Sequence, residues 1–253
     1  MSEHGEVALG PDNHLDIPGN LNFRDAGGWV RTDGAQMRLG KVYRSDDPIR
    51  TTAEGRRRVQ ALGLSAVIDV RQNAQFHRGP GFLEPERTFH RPLVDKVIDL
   101  DNPPPLSQPS HIADMYDDMI ARSTPQLGEV LDLMAEHVQT GPVLVHCVYG
   151  KDRTGIVLAM VQAAIGMPHD VIVADYFRSH EPTHRRYAWM KAEPLPDDPP
   201  IGRAPAYLFN APAETMDVFL QRVVARHGSL DAWVRSFPIA TTTIPRLQAA
   251  LLA

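Results

Sequence analysis

Residues 142–155 read PVLVHCVYGKDRTG and contain the chain's single cysteine, Cys147, six positions before Arg153. The apolar, valine-rich run before the cysteine predicts a β-strand, and the segment from Arg153 onward predicts a buried helix. In a loop that leads from a strand into a helix, backbone N–H groups point at one spot beside the positive end of the helix dipole. The stretch therefore predicts an anion site, most naturally one for phosphate.

Three residues of the loop form the predicted catalytic set. The field that holds an anion also stabilises a thiolate, so Cys147 is the candidate nucleophile and would form a phosphocysteine. Arg153 offers paired N–H donors that suit two phosphate oxygens and the charge of the transition state. Asp152, when protonated, would donate to the leaving oxygen and, when ionised, would activate water in the second step.

The other loop residues are predicted to bind the substrate. They are Val148, Tyr149, Gly150, Lys151 and Thr154. Gly150 allows a backbone turn that a side chain would resist, and the charge of Lys151 favours anionic substrates. The Thr154 hydroxyl would lie near the Cys147 sulfur and stabilise it as a leaving thiolate. His146 is expected to orient the loop through hydrogen bonds rather than to act as a base.

The loop resembles the HCxxGKDRTG signature of a bacterial tyrosine-phosphatase-like family. Further segments match that family in the same order: NLNFRDAGG at 20–28, YRS at 43–45, VIDVR at 67–71, DYFRS at 175–179 and HGSLDAWV at 227–234. The resemblance implies a cysteine-dependent phosphatase that acts on phosphotyrosine, and often on phosphoserine, phosphothreonine and phosphoinositides. It also implies that the loop aspartate, here Asp152, is the general acid.

The chain departs from the family pattern at two places. The family usually carries a glutamate four residues beyond Arg71, where this chain has Gln75, and small residues after Ser45, where this chain has Asp46 and Asp47. Both departures are expected to lie near the site and to affect substrate preference. The two aspartates are predicted to lie on a solvated face, with helix capping by Asp47 as the alternative.

Strand patterns alternate with helical patterns, which predicts an α/β fold with a central, mostly parallel sheet of four to five strands flanked by helices. The predicted strands are 41–45, 65–70, 87–92 and 142–146, and the sequence after Cys147 is almost wholly helical. The catalytic loop would then lie at the carboxyl end of a central strand, where open sheets bind ligands. We expect one phosphatase domain over 1–253, with a flexible segment at 1–15 and a helix break near 123–125.

Two proline-rich stretches, 101–109 and 193–205, interrupt this order. They are either exposed linkers or flanks of mobile elements over the site, since long irregular segments often serve as lids. The family resemblance favours a helical lid within residues 168–225.

Polar residues at two further places have structural and functional interpretations. Asp69 and Arg71 end an apolar strand, so they are candidates to bind substrate, or else to form an ion pair. The Arg24-Asp25 pair is expected to anchor the Gly27-Gly28 turn.

A zinc-protease pattern, HExxH, occurs at His180-Glu181-Pro182-Thr183-His184. That chemistry needs both histidines on one face of a continuous helix. Pro182 is expected to start a helix rather than lie inside one, which argues against the pattern. We predict no metal and no cofactor.

Composition narrows the class of protein. The 253 residues carry a net charge of −5, which argues against non-specific nucleic-acid binding. A single cysteine rules out an internal disulfide framework, and no apolar run approaches the length of a membrane span. We expect a cytoplasmic protein, with export without a leader as the alternative, and the oligomeric state is left open.

The leading interpretation is a protein-tyrosine phosphatase with a phosphocysteine intermediate, with dual-specificity or phosphoinositide activity as an extension. Its partner would be a phosphorylated protein, lipid head group or small molecule. The alternative substrate is a small metabolite, namely an inositol, sugar or nucleotide phosphate. Two other classes stay open: a phosphate-binding module without turnover, which would be expected to lack the nucleophile or the acid, and a rhodanese-type sulfurtransferase.

Overall fold

A five-stranded sheet in the order β1-β2-β5-β3-β4 organises the molecule. The computed structural model describes residues 13–77, 79, 81–94, 109–195 and 206–253. The strands are β1 (Arg24–Asp25), β2 (Val42–Ser45), β3 (Ala66–Asp69), β4 (Thr88–His90) and β5 (Val143–His146). The edge strand β1 is antiparallel to β2, and all other neighbours are parallel. The predicted fold class is confirmed, and β1 is an addition that a two-residue strand was too short to reveal.

Nine helices surround this sheet in the part of the chain that the structure describes. They are α1 (Ala53–Ala61), α2 (Asn73–Phe76), α3 (Pro109–His137), α4 (Asp152–Ala164), α5 (His169–Phe177), α6 (His180–Ala192), α7 (Ala213–His227), α8 (Leu230–Arg235) and α9 (Thr243–Leu251). Thr52 caps α1 by accepting a hydrogen bond from Gly55 N at 3.1 Å, a role for which a threonine hydroxyl is well suited.

Both faces of β5 are covered, which explains its continuous apolar run. Val143 and Val145 belong to a large core shared with α3, α4 and α7 to α9, whereas Leu144 points into a smaller core on the other face. This alternation follows the two-residue period of a strand. Every residue of α4 after Asp152 is buried. The loop between β5 and α4 is therefore fixed at both ends by the centre of the fold.

The predicted break near 123–125 appears as a kink within α3. Ser123 leaves helical geometry, with φ −121° and ψ 17°, and Pro125 follows two residues later. A proline inside a helix removes one backbone donor and its ring meets the carbonyl of the preceding turn, so the chain bends here.

The prediction of a flexible segment at 1–15 is wrong for Leu15 at its end. Leu15 is buried, and its N–H donates to Phe23 O at 3.0 Å. Residues 1–12 lie outside the described residues, as do 101–108 and 196–205 of the proline-rich stretches. Within the described ranges, no helix combines the length and apolar character needed to span a membrane.

Candidate active site

The loop from Cys147 to Asp152 joins the end of β5 to the start of α4. The Cys147 side chain is buried, and Gly150 adopts a φ of +64°. A Cβ at position 150 would lie 2.5 Å from Ser45 O at the end of β2. Only glycine combines this backbone conformation with this close approach.

Three consecutive loop carbonyls are held by donors from residues that flank or belong to β1 and β2. The pairs are Val148 O with Asp47 N at 3.1 Å, Tyr149 O with Asn22 Nδ2 at 2.8 Å and Gly150 O with Arg44 Nη2 at 2.7 Å. In a planar trans peptide the C=O and the following N–H point in opposite directions. The N–H groups of residues 149–151 therefore point away from these donors, as an anion-binding loop requires.

A buried ion network supports the Gly150 carbonyl. Arg44 Nη1 lies 2.6 Å from Asp175 Oδ2, and Arg24 Nη2 donates to Asp175 O at 2.9 Å. Ser179 Oγ accepts from both arginines, at 3.0 Å from Arg24 and 3.2 Å from Arg44. Burial, together with the nearby Arg44, lowers the pKa of Arg24 to about 9. The matched segments NFRDAGG, YRS and DYFRS thus meet in one network behind the loop.

Asp25 anchors the glycine turn that follows it, as predicted. Its Oδ1 accepts from Gly27 N at 2.7 Å, and its Oδ2 accepts from Gly40 N. This carboxylate joins two turns at the edge of the sheet and does not reach the catalytic loop.

Arg153 is buried and contacts Gln75, one of the positions at which the chain departs from the family pattern. Its Nη1 donates to Gln75 Oε1 at 2.9 Å, and the same oxygen accepts from Gln72 N at 3.3 Å. The prediction that position 75 lies near the site is confirmed. The short helix α2 thereby offers Arg153 a neutral acceptor.

The predicted solvated face at Asp46 and Asp47 is wrong, since both are buried. Arg186 of α6 lies 2.6 Å from Asp46 Oδ2 and 2.8 Å from Asp47 Oδ1. Burial alone would lower the pKa of Arg186, but Asp47 and Asp46 raise it above its ordinary value. A buried guanidinium needs carboxylate partners. Asp46 and Asp47 are therefore buried with Arg186 instead of facing solvent. The capping alternative is confirmed, because Asp47 Oδ1 also accepts from Ile49 N at 3.3 Å.

Asp152 is the one residue of α4 that is not buried, and its side chain is 31% exposed. Its Oδ1 accepts a hydrogen bond from Tyr116 OH at 2.6 Å and lies 3.3 Å from Lys151 Nζ. The Tyr116 hydroxyl in turn lies 2.8 Å from that of Tyr176. Sequence reasoning gave neither tyrosine a role at Asp152. Tyr176 lies inside the DYFRS match, but nothing in the sequence connects Tyr116 of α3 to the loop.

Lys151 does not face open solvent. Its buried ammonium donates to Leu208 O at 2.7 Å and to Asn210 O at 3.0 Å. The predicted contact with substrate anions would require an exchange of these two hydrogen bonds. We call residues 206–211, which include these two acceptors, the covering segment.

Helix α6 and the covering segment lie over one side of the loop. Phe209 contacts Tyr149, with ring centroids 5.3 Å apart, and stacks on Tyr187 of α6 at 4.1 Å. This arrangement lies within residues 168–225, where a helical lid was predicted, and whether it moves stays a prediction.

The histidines of the HExxH pattern bind the covering segment. His180 Nδ1 accepts from Ala211 N at 3.1 Å, and His184 Nε2 bonds to Asn210 Oδ1. The prediction that Pro182 starts the helix is wrong, because α6 begins at His180 and carries both histidines. Pro182 is the third residue of α6, and its missing donor is tolerated in the first turn, where no carbonyl of the preceding turn needs it. In the described part of the chain, no group of three or more His, Cys, Asp or Glu side chains is placed to hold a metal ion.

The predicted site residues at the end of β3 bind each other. Arg71 Nη2 lies 2.6 Å from Asp69 Oδ2, and both side chains are buried. The structure shows the ion-pair alternative, and contact of Asp69 and Arg71 with substrate stays a prediction. His146 Nε2 lies 3.5 Å from the same Asp69 oxygen, and its Nδ1 lies 3.3 Å from Cys147 O. Burial lowers the pKa of His146, which favours the neutral ring, and its role in orienting the loop stays a prediction.

The Thr154 hydroxyl is buried and has no hydrogen-bond partner within the described ranges. Its role in stabilising the leaving thiolate of Cys147 stays a prediction. The residue lies in the first turn of α4, inside the core.

The model of the family described as "Tyrosine phosphatase family" matches residues 15–253. The chain belongs to that family. It is therefore a phosphatase, and the loop from Cys147 to Asp152 is its candidate catalytic centre.

Two curated relatives and one solved structure are similar to this tyrosine phosphatase. The triple specificity protein phosphatase PtpB of Mycobacterium tuberculosis is 28% identical over 94% of this chain and 98% of its own length. A putative tyrosine-protein phosphatase of Cupriavidus necator is 29% identical over 85% of this chain and 80% of its own length. The crystal structure of P. aeruginosa TpbA covers 59% of this chain and 78% of its own, with 17% identity and a TM-score of 0.32. This last likeness is too weak to support an inference.

Proposed function

We propose that this enzyme hydrolyses phosphotyrosine in proteins through a phosphocysteine intermediate on Cys147. The observation that supports the proposal best is the fixed orientation of the loop, in which three carbonyls are turned outwards and the following N–H groups inwards. Cys147, Asp152 and Arg153 lie in or directly after that loop. In this proposal Cys147 is the nucleophile, Asp152 the acid and Arg153 the phosphate-binding guanidinium of one anion site.

In the first step the Cys147 thiolate attacks phosphorus, so an S–P bond forms while the P–O bond to the leaving group breaks. The electron pair of that bond stays on the leaving oxygen, which takes a proton from Asp152. Arg153 and the loop N–H groups stabilise the charge on the non-bridging oxygens. In the second step water attacks phosphorus, Asp152 takes a proton from that water, and the thiolate leaves.

Tyr149 favours an aryl substrate. Its ring lies on the loop itself and contacts Phe209 of the covering segment, so an aromatic phosphate ester would have an aromatic wall beside it. Activity on phosphoserine, phosphothreonine and phosphoinositides forms part of the proposal, because the resemblance of the loop and the further segments to the family implies it. The relative that is matched over 98% of its own length is named a triple specificity protein phosphatase. Lys151 would serve a second anionic group after exchange of its bonds to the covering segment.

The test is a substrate panel in the presence of a metal chelator. It compares phosphotyrosine and phosphoserine peptides, phosphoinositides, and inositol, sugar and nucleotide phosphates, with wild type and Cys147→Ser. We expect phosphotyrosine peptides to be hydrolysed fastest without metal, and all hydrolysis to be lost in Cys147→Ser. A preference for a small metabolite would refute the protein substrate, and thiosulfate:cyanide sulfur transfer without phosphatase activity would refute the reaction.

A further inference from the structure

The carboxyl group of Asp152 is held asymmetrically. Oδ1 receives the Tyr116 hydroxyl at 2.6 Å and lies 3.3 Å from the Lys151 ammonium. Oδ2 accepts no hydrogen bond from the described residues, and the side chain is 31% exposed to solvent. One oxygen is thus directed into the protein, and the other is left for solvent or substrate.

The Tyr116 hydroxyl is a permanent donor to Asp152. Burial, followed by the charge of Asp152, raises the pKa of Tyr116 well above its ordinary value, and burial raises that of Tyr176 in the same way. Each phenol has one proton to donate, and a carboxylate only accepts. Tyr116 therefore donates to Asp152, and its oxygen accepts from Tyr176 at 2.8 Å. Hydrogen bonds aligned in this order strengthen one another.

Gly155 makes room for this relay. It lies inside α4, where glycine is less stable than alanine. A Cβ at this position would lie 3.1 Å from Tyr176 Cδ2, closer than ordinary packing allows. Glycine is therefore favoured at position 155, because the Tyr176 ring, whose hydroxyl supports Tyr116, packs against it.

We propose that Tyr116, supported by Tyr176, is a positioning residue that keeps Oδ1 of Asp152 towards the protein and assigns proton transfer to Oδ2. The inference rests on the proposed role of Asp152 as general acid. A proton on Oδ1 would face two donors, so the proton lies on Oδ2. In the first step the Oδ2–H bond breaks and its proton passes to the leaving oxygen. In the second step Oδ2 takes a proton from the attacking water.

The test is Tyr116→Phe, measured with aryl phosphates that span good to poor leaving groups. We compare kcat/KM, which reports the steps up to phosphate transfer to Cys147 and leaves out the second step that all substrates share. A poor leaving group needs the proton most, so kcat/KM for phenyl phosphate should fall about tenfold, part of the roughly 10²–10⁴ that a general acid contributes. For 2,4-dinitrophenyl phosphate, kcat/KM should stay within about twofold, since its departure needs little protonation. Combining Tyr116→Phe with Asp152→Asn should add nothing to Asp152→Asn alone.

Tyr43→Phe is the matched control, because it removes a buried phenol in the smaller core. It should leave the dependence on the leaving group unchanged. If Tyr116→Phe does not fold, Tyr176→Phe removes only the outer hydroxyl and should give the same trend with a smaller amplitude.

An equal loss of kcat/KM for all leaving groups in these variants would overturn the inference and show a merely structural role. If Asp152→Asn itself showed no dependence on the leaving group, the acid assignment in the proposed function would fail, and the inference would fail with it. A steeper dependence in both Asp152→Asn and Tyr116→Phe supports both.

Discussion

Lys151 holds the covering segment against the catalytic loop, and Lys151→Met should release it. The substitution keeps an unbranched side chain of similar length but removes the ammonium that donates to Leu208 O at 2.7 Å and Asn210 O at 3.0 Å. A hydrogen bond to a charged group contributes about 1.5–3 kcal/mol. Part of that is recovered when water binds the released carbonyls. We therefore expect the opening free energy of residues 206–211 to fall by about 2–4 kcal/mol.

Hydrogen–deuterium exchange on peptides that cover residues 206–211 measures this change. Exchange should accelerate by about 30- to 1000-fold, because each 1.4 kcal/mol corresponds to about a factor of ten. The Ala211 amide, which donates to His180 Nδ1, is the most informative probe. Lys41→Met is the matched control, since Lys41 precedes β2 at the end of the strand opposite the loop. Unchanged exchange at 206–211 in Lys151→Met would refute the anchoring role.

Three further predictions concern charge, pH and backbone geometry at the loop. Gln75→Glu places a carboxylate beside Arg153, where the amide oxygen now lies at 2.9 Å. Inorganic phosphate should then inhibit about fivefold more weakly, or about 1 kcal/mol, and an unchanged inhibition constant would contradict this. Because burial lowers the pKa of His146, the unfolded chain binds the proton first as pH falls. Stability is therefore full above about pH 6.5 and declines below it, towards the lowered pKa. Urea unfolding of His146→Gln across this range should show a smaller decline than wild type, and an equal decline would exclude this residue as the cause. Gly150→Ala forces a Cβ to within 2.5 Å of Ser45 O, so the free energy of unfolding should fall by about 1–3 kcal/mol. Calorimetry together with kcat would show the loss, and full activity would contradict the geometry.

Local patterns were sufficient to predict the four parallel strands of the sheet and the loop, but not the two-residue edge strand β1. The run before Cys147 is apolar because β5 is covered on both faces, and Gly150 marks a turn that only glycine permits. The nearness of Gln75 to Arg153 was expected from the family resemblance together with the predicted fold, in which parallel strands bring their carboxyl ends to the same edge.

Partners that are far apart in the sequence could not be predicted. The carboxylate of Asp46 is buried because Arg186, 140 residues later, reaches it from α6. Tyr116 lies 36 residues before Asp152 on a helix whose apolar periodicity shows only that the side chain faces inward. Periodicity indicates which face of an element is buried and not which polar group it meets there.

The sequence shows that Lys151 brings a positive charge to the loop, but it does not show which acceptors the ammonium meets. An ammonium in a phosphate loop suggests a substrate contact, whereas here two backbone carbonyls of the covering segment occupy it. Which acceptor a lysine meets depends on how the C-terminal half folds back over the loop.

Cys147 is proposed to carry the phosphate during turnover. Rapid acid quench of wild type during turnover of a good leaving group, followed by peptide mass spectrometry, shows whether it does. We expect one phosphate on the peptide that contains Cys147, together with an initial burst of released phenol stoichiometric with enzyme, and neither in Cys147→Ser. Phosphate on another residue, or turnover retained in Cys147→Ser, would exclude the phosphocysteine intermediate.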